Sequence, residues 1–327
     1  MNSKNKKNVL SLFLYGDDWV RHLSDVLNAR PDLGICADYF EYPEIRPWRL
    51  FLKAMHADVL MRVGVRPGAK GKRLYLLDIM WFLFKLIWPS KSIVYYWIGT
   101  DVLDALRDSS NVKSNIFQRR LKKAFHFSNA PWLADELKSI GIDSEVVLFP
   151  VGKVTPPKIE EIEWAQQFTI LTYIPDGRFE FYGGTALVNS ALLMPNTRFI
   201  VVGGDGKWLE KIPSNLFFLG YVNNMAEVIN KSHVVVRQVE HDAIGGTVRE
   251  GLFYAKHVVY SYPIENTHLV IWGDSDGLYK TLALLEEKFK LGQLGPNLQG
   301  RNYATATWNP DVLLEKFSSS LLQISKK

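Results

Sequence analysis

The chain has 327 residues, of which 47% are hydrophobic and 22% charged, and it contains one cysteine, Cys36. This length suits two domains with cores of their own, and a single cysteine excludes both an intramolecular disulfide and a cysteine-only metal cluster, which fits a reducing compartment. The net charge of +5 favours anionic partners. Nucleic-acid binding is not expected, because the sequence has no zinc-finger spacing, aromatic RNA-binding signature or long basic block.

The N-terminus combines lysines with a short apolar run. Lys4, Lys6 and Lys7 precede Val9–Tyr15, as they would in a signal peptide. The run is short, however, and Gly16-Asp17-Asp18 follows it without a small-residue cleavage site. No segment reaches the ~20 apolar residues that span a bilayer. We therefore predict a first β-strand here and a cytoplasmic protein, with the inner face of the membrane as an alternative location.

The first half of the sequence alternates strand-like and helix-like segments. Apolar runs predict strands at 8–15, 34–39, 58–63, 92–97, 126–128 and 145–149, and helical periodicity predicts helices at 17–29, 74–88, 115–123 and 132–140. This alternation indicates a parallel sheet with crossover helices.

Proline and glycine then cluster at residues 150–157, where we place an interdomain linker. The alternation restarts with strands at 168–174, 198–202, 216–219, 233–236 and 257–260, and helices at 183–193, 225–230, 248–254, 277–289 and 311–324. The predicted fold is therefore α/β, with two Rossmann-like domains at 1–152 and 153–310. Ligands of such sheets bind at the carboxyl ends of the strands, so we expect a cleft between the domains.

Residues 234–255 carry the most chemical information, because a buried strand runs into a polar loop, a glycine pair and a helix. The N-terminus of such a helix exposes unpaired N–H groups and the positive end of its dipole. Gly245 and Gly246 allow an anion to approach the backbone closely. We interpret this turn as a seat for a diphosphate. Asp242 and Glu250 flank it in a D-x7-E arrangement.

This arrangement resembles the E-x7-E signature of retaining glycosyltransferases of the GT-B fold, of the family-four type, with Asp242 in place of the first glutamate. The resemblance implies that Glu250 holds the ribose hydroxyls of a nucleotide diphosphate sugar and that Asp242 contacts the transferred sugar near the reacting carbon. It also implies that the diphosphate accepts hydrogen bonds from the backbone N–H groups of Gly245, Gly246 and Thr247.

The resemblance further implies that a C-terminal helix at 311–327 packs on the N-terminal domain, which would bind the acceptor. No cofactor or metal is expected, because the helix dipole and arginines would stabilise the leaving diphosphate. The seven histidines show no ligand spacing. The alternative for Thr247 and Glu250 is a capping box, T-x-x-E, which stabilises a helix start without any ligand.

The same resemblance covers residues 168–206 and 218–222. It implies that the loop before the helix at 183–193 binds the diphosphate, with Tyr182 where many relatives have lysine. It also implies that the strand end at 218–222 binds the nucleotide base. The residues so implicated are Arg178, Tyr182, Gly183, Gly184, Gly203, Tyr221, Val222 and Arg237, together with Gly16 in the N-terminal half. For Arg178 and Arg237 the alternative is a solvated surface position, and for the glycine turn at 203–206 it is an ordinary β-to-α turn.

Asp101 ends the segment 97–101, where relatives often have a Gly-x-Asp preceded by histidine. Ile98 occupies the histidine position, so no catalytic histidine is implied. Asp101 either contacts a sugar or caps the following helix.

A second distinctive segment is 70–91, in which Lys70, Lys72 and Arg73 precede an apolar helix rich in aromatic residues. Its aromatic side chains, Trp81, Phe82, Phe84 and Trp88, would suit a membrane interface with basic residues at the head groups. The alternative is a buried core helix.

We therefore expect a glycosyltransferase that moves a sugar from a nucleotide-sugar donor to a glycan or lipid-linked acceptor, with retention at the anomeric carbon and peripheral membrane contact. The alternatives are a nucleotide-sugar epimerase of the same build and a non-catalytic, membrane-docked binding module.

Overall fold

The computed structural model describes residues 9–17, 19–41, 47–65, 83–84, 86–109, 124–150 and 156–326. The chain divides into two compact units, one formed by residues 1–151 with 310–327 and the other by residues 152–309. In its described part each unit is built on a sheet of six parallel strands. The predicted α/β class with parallel sheets is therefore confirmed.

The sheet of the first unit has the strand order β2-β1-β3-β4-β5-β6. Its strands are β1 (Leu10–Gly16), β2 (Ile35–Glu41), β3 (Val59–Val63), β4 (Ser92–Trp97), β5 (Phe125–Ser128) and β6 (Glu145–Val146). The helices are α1 (Trp19–Asn28), α2 (Pro47–Met55), α3 (Thr100–Ser109), α4 (Pro131–Ser139) and, from the end of the chain, α10 (Pro310–Ile324).

Strand β1 shows how this sheet is buried on both faces. Leu12 and Leu14 belong to one apolar cluster, which also contains Phe317 and Leu321 of α10. Phe13 and Tyr15 alternate with them and belong to a second cluster on the opposite face, which contains Leu50 and Ala54 of α2. Neighbouring side chains of a strand point to opposite faces, so a strand covered on both sides favours apolar residues at successive positions, which explains the run from Leu12 to Tyr15.

The sheet of the second unit has the order β12-β11-β10-β7-β8-β9. Its strands are β7 (Thr169–Tyr173), β8 (Arg198–Val202), β9 (Leu216–Phe218), β10 (Val234–Arg237), β11 (His257–Tyr260) and β12 (His268–Leu269). The helices are α5 (Gly184–Leu193), α6 (Met225–Asn230), α7 (Gly246–Phe253), α8 (Ser275–Lys290) and α9 (Leu298–Thr307). The chain builds outward from β7 through β8 to β9 and then returns to β10 on the other side, so the topological switch point lies between β7 and β10.

Most predicted elements lie within two residues of the observed ones. The sequence patterns missed α2, α9 and the two-residue strand β12. They gave no bounds for α3, which was expected only as a helix following Asp101, and they placed the start of α7 two residues too late. The predicted helix at 115–123, nearly all of that at 74–88, and most of the linker lie outside the described residues. Within the described ranges no helix is both long and apolar enough to cross a bilayer.

Candidate functional site

The candidate site lies at the carboxyl edge of the second sheet, around its switch point. The adjacent strands β7, β10 and β11 end at Tyr173, Arg237 and Tyr260. The loop after β10 leads into α7, so the end of β10 and the start of α7 present their polar groups at the same edge. This is where open α/β sheets bind their ligands.

Helix α7 begins with an uncovered backbone. Its N-cap is Gly245, which has no side chain to cap the helix. Gly246 is exposed, and beyond its chain neighbours and its own helix backbone no atom of the described residues lies within 4 Å of where a Cβ would stand. Thr247 lies inside the first turn, and its Oγ1 is buried without a hydrogen-bond partner in the described part of the chain. The capping-box alternative is therefore wrong, since the cap is two residues earlier and the third helical residue is Val248.

Glu250 lies one turn further along α7 and is partly buried. Burial raises the pKa of its carboxyl above the ordinary value, while the positive charges of Arg249 and Arg237 act in the opposite direction. Within the described residues no donor bonds this carboxylate. A half-desolvated carboxylate without a donor has the properties of a group that accepts hydrogen bonds from a ligand.

The carboxylate of Asp242, by contrast, is held by donors of the protein itself. It accepts hydrogen bonds from Arg237 Nε and Nη2 at 2.5 and 2.9 Å, and the two side chains are only 10% and 14% exposed. The Tyr260 hydroxyl contacts both Asp242 Oδ2, at 3.1 Å, and the carbonyl of Ala243. Burial and the charge of Asp242 raise the pKa of Tyr260 well above its ordinary value, so the phenol stays neutral.

Arg178, in the loop after β7, differs from Arg237 in its surroundings. Its side chain is exposed, and its guanidinium lies over the rings of Phe181 and Tyr182, 4.1 and 5.8 Å from their centroids. No acidic side chain of the described residues pairs with it. The ring of Tyr182 also lies against Arg237, whose guanidinium carbon is 5.4 Å from the ring centroid. Arg178 therefore offers a guanidinium to an anion, whereas Arg237 is committed to Asp242.

Gly183 and Gly184, at the start of α5, have a structural explanation. Gly183 has a φ of +65°, and a Cβ there would lie 2.9 Å from the carbonyl oxygen of Gln238. A Cβ on Gly184 would enter the ring of Phe179. Gly183 therefore allows the β7–α5 loop to lie against the residue that follows β10, and Gly184 leaves room for the ring of Phe179 within the loop itself.

The turn after β8 and the loop after β9 are joined by their backbones. The N–H of Gly203 donates to the carbonyl of Gly220 at 2.7 Å, and the N–H of Gly220 donates to Gly204. Tyr221 is 86% exposed and Val222 is partly buried. The structure thus brings the predicted base-binding segment together with the glycine turn, at the ends of β8 and β9.

In the first unit, Asp101 has a structural role. It is 5% exposed, and its carboxylate accepts hydrogen bonds from the backbone N–H groups of Val65, Ile98, Gly99 and Val102 at 2.8 to 3.2 Å. Burial raises its pKa to about 6 despite these donors. The contacts favour the capping alternative over a sugar contact, because they join the start of α3 to the loop after β3.

Gly16 ends β1, and a Cβ there would lie 2.6 Å from the carbonyl oxygen of Val63. Packing between the ends of β1 and β3 therefore accounts for this glycine without a ligand.

Two of the residues predicted to contact a membrane, Phe84 and Trp88, are directed toward the interior of the first unit. Phe84 is 1% exposed, and Trp88 packs on Phe51 with ring centroids 4.9 Å apart. The core alternative is correct for these two, whereas Trp81 and Phe82 lie outside the described residues. The neighbouring side chains Leu83, Leu86 and Ile87 are 38 to 69% exposed.

Sequence reasoning missed Tyr260 and Gln238. Tyr260 is fully buried at the end of β11, and the Gln238 side chain donates to the carbonyls of Ile271 and Asp274. Neither residue belongs to a recognisable motif, although a tyrosine that ends an otherwise aliphatic strand is a weak signal. Within the described residues no cluster of three or more His, Cys, Asp or Glu could hold a metal ion.

Comparison with known proteins gives similarity in structure alone. No protein-family model matches the sequence, and no curated protein is significantly similar to it. Among solved structures, HepE (Alr3699) of Anabaena, in complex with UDP and glucose, matches with a TM-score of 0.70 and 11% identity, covering 96% of this chain and 100% of that one.

Two further structures match over nearly their whole length. Sucrose-phosphate synthase of Thermosynechococcus elongatus matches with a TM-score of 0.69 and 12% identity, covering 96% of this chain and 99% of that one. WaaG, a glycosyltransferase involved in lipopolysaccharide biosynthesis, matches with a TM-score of 0.58 and 15% identity, covering 94% and 98%. At such low identity these matches establish the architecture: the chain has the two-domain GT-B fold that its sequence predicts.

Proposed function

We propose that the chain is a glycosyltransferase that moves a sugar from a nucleotide diphosphate sugar to a glycan or lipid-linked acceptor, with retention at the anomeric carbon and without a cofactor. The observation that carries the proposal is Glu250, a partly buried carboxylate that accepts no hydrogen bond from the described residues and lies beside the uncovered start of α7 at the switch point of the second sheet.

Each group of the donor has a chemically suited counterpart at this edge. The two ribose hydroxyls would donate to the Glu250 carboxylate, since hydrogen bonds to a charged acceptor are the stronger kind. The diphosphate would accept from the backbone N–H groups at Gly246 and Thr247 and from the guanidinium of Arg178. The base would lie against the joined loops at Gly203 and Tyr221, and the acceptor would bind to the first domain.

The similar structures indicate which substrates to test first. HepE was crystallised with UDP and glucose, which supports a UDP-sugar as donor. WaaG acts in lipopolysaccharide biosynthesis, which supports a glycan or lipid-linked acceptor.

The test begins with the melting temperature in the presence of UDP, GDP, ADP or CDP, because a ligand that binds only the folded state raises it. The chain is then incubated with the matching labelled nucleotide sugars and a bacterial glycolipid extract. Label in a glycolipid supports the proposal. An epimerised nucleotide sugar would instead identify an epimerase, and nucleotide binding without turnover would identify a binding module.

Contact with the cytoplasmic face of a membrane completes the proposal, and the exposed Leu83, Leu86 and Ile87 support it. The protein should co-sediment with vesicles that contain phosphatidylglycerol, and Leu86→Gln should weaken this binding. Equal recovery of wild type and variant in the pellet would contradict the contact.

A further inference from the structure

The contacts around Asp242 assign Arg237 a role other than diphosphate binding. Both its Nε and its Nη2 donate to the Asp242 carboxylate, and 10% of its side chain is exposed. The ring of Tyr182 lies against the guanidinium, 5.4 Å from its carbon. A bidentate pair that is largely removed from water is rigid, and its guanidinium has little surface left for a second anion.

Tyr260 holds the same carboxylate from the neighbouring strand. It is the register partner of Arg237 across β10 and β11 and is fully buried. Its hydroxyl has one proton for two acceptors, Asp242 Oδ2 and the Ala243 carbonyl. The phenol therefore restrains the side chain of one residue and the backbone of the next.

The turn at Gly245 and Gly246 depends on this arrangement. A Cβ at Gly245 would lie 2.0 Å from Arg237 Nε, so the guanidinium occupies the space where a side chain of that residue would be. The Arg237–Asp242 pair and the start of α7 are thus packed as one unit, and moving the carboxylate would disturb the turn.

We propose that Arg237 and Tyr260 are positioning residues, which orient the Asp242 carboxylate toward the transferred sugar and leave the diphosphate to Arg178 and the helix start. This inference rests on the proposed function. It predicts that loss of either residue slows turnover without weakening nucleotide binding, because in this arrangement neither side chain would contact the nucleotide.

The test uses the full chain with UDP and UDP-glucose, or with the corresponding pair if the melting screen selects another base. Arg237→Lys keeps the charge and removes the two-point contact, and Tyr260→Phe removes only the hydroxyl. We expect kcat to fall roughly tenfold in each, with the Kd for UDP within about twofold of wild type. Tyr303→Phe is the control, since this tyrosine lies on α9 and its ring packs against Trp308.

A double-mutant cycle separates positioning from a general structural effect. If Tyr260 acts through Asp242, then Tyr260→Phe combined with Asp242→Asn should be no slower than Asp242→Asn alone. If Tyr260→Phe melts below the assay temperature, Arg237→Lys replaces it in the cycle.

Two results would overturn the positioning role. One is a tenfold weaker UDP affinity in Arg237→Lys with kcat preserved, which would make this arginine a phosphate ligand. The other is a double variant whose loss equals the product of the two single losses. Wild-type protein that turns over no nucleotide sugar would instead overturn the proposed function, and the positioning role with it.

Discussion

Glu250→Gln separates ligand binding from folding. The N-cap of α7 is Gly245, so no cap is lost when the glutamate is changed. Burial raises the pKa of Glu250 in the folded protein, which means that the ionised form is disfavoured there. Such a group contributes to the stability of the folded state at low pH, and this contribution is lost as the pH rises through the folded-state pKa. At pH 8 the neutral glutamine should therefore leave the melting temperature unchanged or raise it.

The effect on nucleotide binding should be large. A hydrogen bond to a charged group contributes about 1.5–3 kcal/mol, whereas glutamine retains one neutral acceptor oxygen for two ribose hydroxyls. Loss of one such contact weakens binding by about 10- to 150-fold. Isothermal titration with UDP measures this change, and Glu287→Gln, on the exposed side of α8, is the matched control.

A ligand lacking the hydroxyls makes the test specific. Wild type should lose affinity for 2′,3′-dideoxy-UDP by a similar factor, and Glu250→Gln should bind it as wild type does. Equal affinity of wild type and Glu250→Gln for UDP would refute the ribose assignment. The assignment would also be refuted if Glu250→Gln weakened binding of the dideoxy nucleotide as much as binding of UDP, since the carboxylate would then act elsewhere on the ligand.

Two further predictions concern stability. Gly245→Ala should lower the unfolding free energy by about 1–3 kcal/mol, because its Cβ would overlap Arg237, whereas Gly246→Ala has open space and should be near neutral. Urea unfolding of the two variants compares them, and equal midpoints would contradict the predicted overlap. The stabilising contribution of Asp101 should be largest below about pH 4 and lost as the pH passes about 6, because burial raises its folded pKa to about 6 from 3.8. Between pH 4 and 7.5, Asp101→Asn should flatten the pH dependence of unfolding, and an unchanged slope would contradict it.

Local patterns were sufficient for most of the fold. Strands such as β3 and β8 contain the apolar runs 59–61 and 199–202 because a parallel sheet covers both of their faces, and such runs are visible in the sequence. Helices with clear periodicity were also found. Helix α2 was missed because Arg46, the residue before it, is not one of the usual N-cap types, although Pro47 suits a first helical position. Strand β12 is only two residues long.

The sequence by itself determined the α/β class, the presence of two parallel sheets, and the loop that carries Asp242, Gly245, Gly246 and Glu250, because these depend on local composition and on the spacing within one β-to-α connection. Only the tertiary structure decided what those residues touch. Arg237 and Asp242 are near in sequence, but their pairing depends on Tyr260 from the adjacent strand and on the space left by Gly245. The structural role of Asp101 also depends on a distant partner, because the backbone N–H of Val65, from the loop after β3, donates to it together with three N–H groups from its own turn. Partners brought together by strand order leave no mark in the local sequence, and for that reason the individual roles of these residues followed only from the folded chain.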